Sequence, residues 1–261
     1  MGKLIVISSG KGGVGKTTTS VNLATALSKH GKNVILVDGN LTTPNVGLHL
    51  GLTKFPTTLN DVLQGEAVLT DSIYLHPLGF KLVPGSLSIR SFAHINSRTL
   101  KKIFDDLKEL CDYVIVDSAA GLGNESISIL KNADEILVVT NPELPAVTDA
   151  FKIVTLAKEI GIPVKGVILN RVRRDNFDLG FRAIEGLLET PITSVIEDDK
   201  YMRLSLYNKK PIMHIRPKSK TAQQYHHLAK RVHTGEYKRK LEELEKENSF
   251  LRSLLNAFRI Q

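Results

Sequence analysis

A glycine-rich segment near the amino terminus limits what this chain can fold into more than any other feature. Residues 10–18, GKGGVGKTT, follow an apolar run at 4–7 and precede residues 20–30, whose pattern predicts a helix. This order of strand, glycine-rich turn and helix is typical of a phosphate-binding loop, rather than of a turn that binds nothing. Glycines let successive backbone N–H groups point inward, and the helix start adds its positive dipole end. The segment therefore predicts a nucleoside triphosphate site.

Two side chains of this segment have the chemistry that phosphates and Mg²⁺ require. Lys16 can reach the β- and γ-phosphates, and the Thr17 hydroxyl can ligate Mg²⁺. We expect the whole segment to contact the nucleotide, that is Gly10, Lys11, Gly12, Gly13, Val14, Gly15, Lys16, Thr17 and Thr18.

Apolar runs alternate with helical patterns along the rest of the chain. Runs at 33–37, 81–83, 113–116, 135–140 and 164–169 predict strands, and 58–63, 97–110 and 222–232 predict helices. Such alternation predicts an α/β fold with a doubly wound, mostly parallel sheet and helices on both faces.

Two of these strands end in an aspartate. Asp38 and Asp117 follow apolar runs, and the carboxyl ends of parallel strands meet at one edge of the sheet. Carboxylates there suit Mg²⁺, directly or through water. We therefore predict that Thr17, Asp38 and Asp117 form the metal site, although an aspartate at a strand end can also be an ordinary turn residue.

A lysine directly after the first glycine gives the loop an unusual pattern. Lys11 has little room to serve its own nucleotide, so it is either a solvated charge or reaches a second subunit. The pattern resembles the deviant Walker A loop of the MinD/ParA class of P-loop ATPases. This resemblance covers about residues 1–233. It implies ATP and Mg²⁺ as cofactors, and a homodimer in which two protomers enclose two ATP molecules. It also implies catalytic roles for Lys11 and Lys16.

One position departs from that class. The resembled pattern is Asp-x-Asp, in which the second aspartate orients or activates the attacking water, and this chain has Asn40 there. Asparagine forms hydrogen bonds but cannot accept a proton. We therefore expect this chain to bind ATP and dimerise but to hydrolyse ATP slowly.

The resemblance also places the rest of the nucleotide. It implies that Glu143 lies near the partner's ribose and that Asn170 and Arg171 lie near the adenine. Residues 211–218 resemble the last strand and the following loop, with Pro217 and Lys218 near the base. The glycines at 121 and 123 fall in the region called switch II, which responds to the γ-phosphate.

Composition restricts the compartment and the partners. The single cysteine, Cys111, allows no internal disulfide and no Cys-x-x-Cys pair for an iron–sulfur cluster, which favours a reducing cytoplasm. The net charge of +8 favours anionic partners but does not choose among nucleotide, nucleic acid and lipid.

The carboxyl-terminal segment differs in composition from the rest. We predict an ATPase domain at 1–235 and a separate helical tail at 236–261, because Gly235 precedes a charged stretch without glycine or proline. In a membrane-surface helix, one face would hold Phe250, Leu251, Leu254, Leu255, Ala257 and Phe258. The same stripe could pack on this domain or on a partner. A third alternative is a short coiled coil through Tyr237, Leu241, Leu244, Asn248, Leu251, Leu255 and Phe258.

The resemblance to MinD implies a function for both parts. ATP-driven dimerisation would attach the chain peripherally to the inner face of the cytoplasmic membrane through residues 250–260. There it would position cell-division or related machinery, with a possible activating protein partner. A ParA-like ATPase that binds nucleic acid through a basic surface is the alternative, and a metabolic P-loop enzyme is a third class.

Overall fold

The computed structural model describes residues 1–87, 96–173 and 177–238. In this part of the chain one sheet of eight strands has the order β3-β4-β2-β5-β1-β6-β7-β8. All neighbouring strands pair in parallel except β3 and β4, which are antiparallel. The strands are β1 (Lys3–Ser8), β2 (Val34–Gly39), β3 (Tyr74–Leu75), β4 (Lys81–Val83), β5 (Tyr113–Ser118), β6 (Glu135–Thr140), β7 (Val164–Val172) and β8 (Ile192–Glu197).

Helices cover both faces of the sheet, so the predicted fold class is confirmed. They are α1 (Lys16–Lys29), α2 (Val46–Leu50), α3 (Leu59–Gln64), α4 (Ser97–Glu109), α5 (Asn124–Leu130), α6 (Leu144–Glu159), α7 (Phe181–Leu188), α8 (Lys200–Tyr207), α9 (Ile212–Ile215) and α10 (Lys220–Thr234).

The core has two layers because successive side chains of a strand point to opposite faces. Leu4 and Val6 of β1 belong to the layer covered by α3, α4, α6 and α7. Ile5 and Ile7 belong to the layer covered by α1, α2, α9 and α10. The central strands are therefore buried on both sides, as their continuous apolar runs predict.

Local signals in the sequence identify several helices correctly. Thr58 and Asp61 form a capping box at the start of α3, within the predicted helix at 58–63. In α4 the predicted apolar face is buried, and Asn96 caps the first turn through bonds from the Arg98 and Thr99 amides.

The prediction of a last strand at 211–218 is wrong. Residues Ile212–Ile215 form the short helix α9, and the strand at the edge of the sheet is β8, which the sequence analysis missed. Pro211 precedes α9 and lacks an N–H for a ladder. The Ile212 amide instead donates to the Asn22 side chain of α1, at 3.1 Å.

The last described residues pack against the sheet. Tyr237 is 6% exposed, and its hydroxyl donates a short hydrogen bond to the buried Glu135 carboxylate at the start of β6. Lys3 binds the other Glu135 oxygen at 2.9 Å. Tyr237 is thus part of the packed domain, and the rest of the predicted tail, 239–261, lies outside the described residues. Across the described ranges, no helix has both the length and the apolar character to cross a membrane.

A pair of histidines joins α1 to α10. His30 Nε2 lies 3.0 Å from His226 Nδ1, and burial, followed by the nearby His30, Lys29 and His227, lowers the pKa of His226. The unfolded chain then binds more protons below a pH of about 6.5, so stability should fall modestly as the pH drops through that value. Urea unfolding at pH 7.5 and 5.5 would measure the loss. His226→Gln should reduce it, and His214→Gln, a change at an exposed histidine, should not.

Candidate nucleotide site

The glycine-rich segment turns sharply between β1 and α1. Gly15, directly before α1, has φ 101°, a left-handed conformation that favours glycine. A β-carbon there would lie 2.1 Å from Asn170 Nδ2. The Asn170 side chain, in β7, donates to the Val14 carbonyl at 2.7 Å, so β7 supports the loop. The last turn of this segment is thus held in one conformation.

The start of the segment is equally confined. A β-carbon on Gly10 would lie 2.0 Å from the Asp149 carbonyl oxygen of α6. The Gly121 amide donates to the Ser9 carbonyl at 2.9 Å, which joins the segment to the loop after β5. The backbone between these contacts, with Gly13 also at positive φ, forms a nest of the kind that binds phosphate.

Asp117 organises the base of this nest. Its carboxylate accepts a bond from Thr17 Oγ1 at 2.6 Å and another from Ser20 Oγ at 3.0 Å. Burial raises the pKa of Asp117, an effect opposed by the nearby Lys16 ammonium and by the two hydroxyl bonds. The sequence analysis did not single out Ser20, which lies inside a helical pattern.

Asp38 lies beside Asp117 because β2 and β5 are in register at these two residues. It is fully buried, and its oxygens accept from the Val46 amide at 2.9 Å and the Asn40 amide at 3.3 Å. Burial first, and then repulsion from Asp117, raise the pKa of Asp38 well above its usual value. Two buried carboxylates that repel each other, with the Thr17 hydroxyl alongside, suit a divalent cation such as Mg²⁺.

Asn40 lies on the loop that follows β2. Its Oδ1 accepts from both the amide and the hydroxyl of Thr43, each at 3.1 Å. The side-chain oxygen is therefore committed to its own loop. Asn40 lines the same cavity as Lys16 and Thr17.

That cavity has a volume of about 720 Å³. It opens between the glycine-rich segment, the loop after β2 and the loop after β5. Its lining residues are Gly12, Gly13, Gly15, Lys16, Thr17, Thr18, Asn40, Thr42, Thr43, Asn45, His49, Ala119, Ala120, Gly123, Asn124, Glu125, Ser126, Arg171 and Leu206. Lys11 is not among them, and its side chain is exposed to solvent.

A smaller cavity of about 240 Å³ continues from the first and shares Gly15, Thr18, Arg171 and Leu206 with it. Asn170 also lines this smaller cavity. Met202, Arg203 and Leu206 of α8 complete this cavity, and the sequence analysis missed all three. The spacing of apolar residues in 200–207 does not show that α8 lies beside Asn170.

Eight of the predicted site residues line neither cavity, namely Gly10, Lys11, Val14, Asp38, Asp117 and three others. The exposed Glu143, directly before α6, and the exposed Pro217 and Lys218 are outside the lining of these two cavities. Lys218 uses its carbonyl to accept from Gln223 at the start of α10. A contact of these residues with nucleotide in the same protomer has no support from the cavity geometry.

The sheet, the phosphate nest and the two strand-end aspartates define a P-loop nucleoside triphosphatase, a class whose cofactors are ATP and Mg²⁺. The ParA family model, described as an NUBPL iron-transfer P-loop NTPase, matches residues 1–233. The chain therefore belongs to the ParA family of P-loop NTPases. The family description mentions iron transfer, and this sequence has one cysteine, Cys111.

Solved and curated relatives agree with this assignment. An uncharacterized ATP-binding protein of Methanocaldococcus jannaschii is 36% identical over 97% of this chain and 95% of its own length. The cell division ATPase MinD of Pyrococcus furiosus has a TM-score of 0.85 and 36% identity over 90% of this chain and 99% of its own. The septum site-determining protein MinD of Pyrococcus horikoshii, solved with Mg-ADP, has a TM-score of 0.84 and 36% identity over 89% and 96%.

Proposed function

We propose that this chain is a MinD-like ATPase that dimerises on binding ATP and attaches peripherally to the inner face of the cytoplasmic membrane, where it positions cell-division or related machinery. The observation that supports the proposal is that two lysines of one loop lie in different places. Lys16 lines the nucleotide cavity, whereas Lys11 is exposed outside it. An exposed cation in the loop that borders a nucleotide site is suited to a phosphate of a second protomer.

Within one protomer, each part of the site has a distinct task. Lys16 and the backbone N–H groups of the nest bind the phosphates, and α1 directs its positive end at them. Thr17, Asp38 and Asp117 would hold Mg²⁺, which neutralises charge on the β- and γ-phosphates. Asn170 and the α8 side chains enclose the base. Glu143, exposed beyond its own cavity, is suited to the partner's ribose.

In this proposal Asn40 limits the rate of ATP hydrolysis. Its amide can position water but cannot accept a proton, and its oxygen is occupied by Thr43. We expect Asn40→Asp to raise kcat by about 10- to 100-fold, within the range of general-base catalysis, with KM little changed. Single-turnover hydrolysis of Mg-ATP measures the effect, with Asn96→Asp, a change at the exposed cap of α4, as the control. Equal rates for the parent chain and Asn40→Asp would contradict this role.

The tail supplies the membrane contact in this proposal. Residues 250–260 combine an apolar face with arginines, which suits the headgroup region of an anionic bilayer. One short helix binds weakly, but two linked helices bind much more tightly because the second acts at high effective concentration. Dimerisation on ATP would therefore control attachment.

Flotation with liposomes containing anionic lipid tests this step. The full chain should float with Mg-ATP and much less with Mg-ADP, and a chain ending at Lys238 should not float. The cut belongs after Lys238 because removal of Tyr237 would uncover the buried Glu135. Flotation of the shortened chain, or equal flotation with both nucleotides, would contradict the membrane role.

One observation favours a second candidate, a ParA-like ATPase that binds nucleic acid. Residues 200–235 contain no acidic residue and nine basic ones, which are Lys200, Arg203, Lys209, Lys210, Arg216, Lys218, Lys220, Lys230 and Arg231. Tyr201 lies under Lys200 and Arg216, at 5.4 and 4.6 Å from its ring centre. ATP-dependent binding of duplex DNA that weakens steeply with salt, without flotation, would favour this candidate.

A further inference from the structure

A single carboxylate joins the two loops that border the nucleotide cavity. Glu125, in the first turn of α5, extends across the cavity to the loop after β2. Its Oε1 accepts a short bond from the Leu41 amide and a longer one, 3.3 Å, from the Thr42 amide. Its Oε2 accepts from Thr42 Oγ1 at 2.8 Å. Three donors from one loop therefore converge on one side chain of another element.

These donors lie directly after Asn40. The backbone on the other side of Asn40 is held by Asp38, whose carboxylate accepts from the Asn40 amide at 3.3 Å. The loop is thus fixed at one end by a residue of the metal site and at the other by Glu125. Because Asn40 lies between these two contacts, its place in the cavity depends on both.

The position of α5 depends in turn on the loop after β5. Ser126, next to Glu125, donates to the Ala119 carbonyl at 3.2 Å, and the Gly121 amide donates to Ser9 before the phosphate nest. A displacement of the Ala119–Gly121 backbone would therefore pass through α5 and Glu125 to the loop that carries Asn40.

We propose that Glu125 is a positioning residue that couples these two loops and thereby sets the place of Asn40 for ATP hydrolysis. This inference rests on the proposed ATPase function. Glu125 acts through the Leu41 and Thr42 backbone and has no part in proton transfer. Its loss should therefore lower kcat, since small displacements of a positioned group are costly, and should leave the affinity for ATP nearly unchanged.

The test combines hydrogen exchange with kinetics on the full chain. In Glu125→Ala, amide exchange at Leu41 and Thr42 without nucleotide should be at least about tenfold faster, because both amides lose their acceptor. The kcat should fall about 10- to 100-fold, with KM within about threefold of the parent value. Glu125→Gln keeps a carbonyl that can accept from both amides, so it should recover most of the loss in both measurements. Glu159→Ala, at an exposed glutamate of α6, is the control.

The outcomes distinguish failure of the Glu125 proposal from failure of the proposed ATPase function. Unchanged exchange in Glu125→Ala, or faster exchange with unchanged kcat, would overturn the coupling. If Glu125→Gln were as slow as Glu125→Ala while its amides stayed protected, Glu125 would act as a proton acceptor instead, and the positioning role would be wrong. Absence of turnover in the parent chain would refute the ATPase and with it a role in hydrolysis. The exchange data would still report whether Glu125 ties the loop.

Discussion

Gly15→Ala should weaken nucleotide binding at least about 100-fold, and Gly12→Ala in the same loop should weaken it less. At Gly15 the left-handed backbone costs a non-glycine residue about 1–2 kcal/mol, and the new methyl group would collide with Asn170 Nδ2 at 2.1 Å. Relief of this collision displaces the Asn170 side chain and breaks its hydrogen bond to the Val14 carbonyl, so the loop loses this support in addition to the backbone strain at Gly15. At Gly12 an added β-carbon meets nothing within 4 Å.

Binding of a fluorescent ATP analogue with Mg²⁺ measures both variants, and thermal unfolding without nucleotide reports whether they fold. We expect Gly15→Ala to bind at least about 100-fold more weakly, equivalent to about 2.7 kcal/mol, and to unfold at a lower temperature. Gly12→Ala, whose added methyl group meets no protein atom within 4 Å, should unfold at the parent temperature and lose less affinity than Gly15→Ala. Normal affinity in Gly15→Ala would mean that the loop conformation described above is not the one that binds nucleotide.

Lys11→Ala should remove ATP-dependent dimerisation and leave ATP binding by the monomer intact. The Lys11 side chain is exposed and does not line its own cavity, so its loss removes no contact to its own nucleotide. A desolvated ammonium–phosphate contact across an interface is worth several kcal/mol, and two are lost per dimer. We therefore expect the dimer dissociation constant to rise at least about 100-fold.

Light scattering after size exclusion in Mg-ATP and Mg-ADP measures the dimer, and equilibrium binding measures the nucleotide. Lys54→Ala, a change at another exposed lysine, is the matched control and should dimerise as the parent does. Lys16→Ala should instead lose nucleotide affinity first. Undiminished ATP-induced dimerisation in Lys11→Ala would refute the shared-site arrangement.

The central sheet and the phosphate nest were predictable because their signals are local. A few neighbouring residues are enough to specify each of these structures. This holds for the apolar runs of the central strands, the run of glycines and the Thr58–Asp61 capping box. The β2–β5 register then brings Asp38 beside Asp117, as expected for adjacent parallel strands that both end in a carboxylate.

Elements whose conformation depends on distant partners were harder to predict. β8 has Thr193 and Ser194 in its middle and forms against β7, so its own pattern is weak. Residues 212–215 are helical where resemblance suggested a strand, since Pro211 cannot pair and Asn22 receives the Ile212 amide. Glu125 looks like an ordinary acidic residue in the first turn of a helix, and only the fold reveals that it bridges two loops.

The contacts of Glu135 determine which strand a force on the proposed membrane tail would reach. The Glu135 carboxylate binds the Lys3 ammonium at the start of β1. It also accepts a hydrogen bond from the hydroxyl of Tyr237, one residue before the last described residue. β1 leads from Lys3 to the glycine-rich segment, so a force applied to the proposed membrane tail would act, through Tyr237 and Glu135, on a central strand of the sheet.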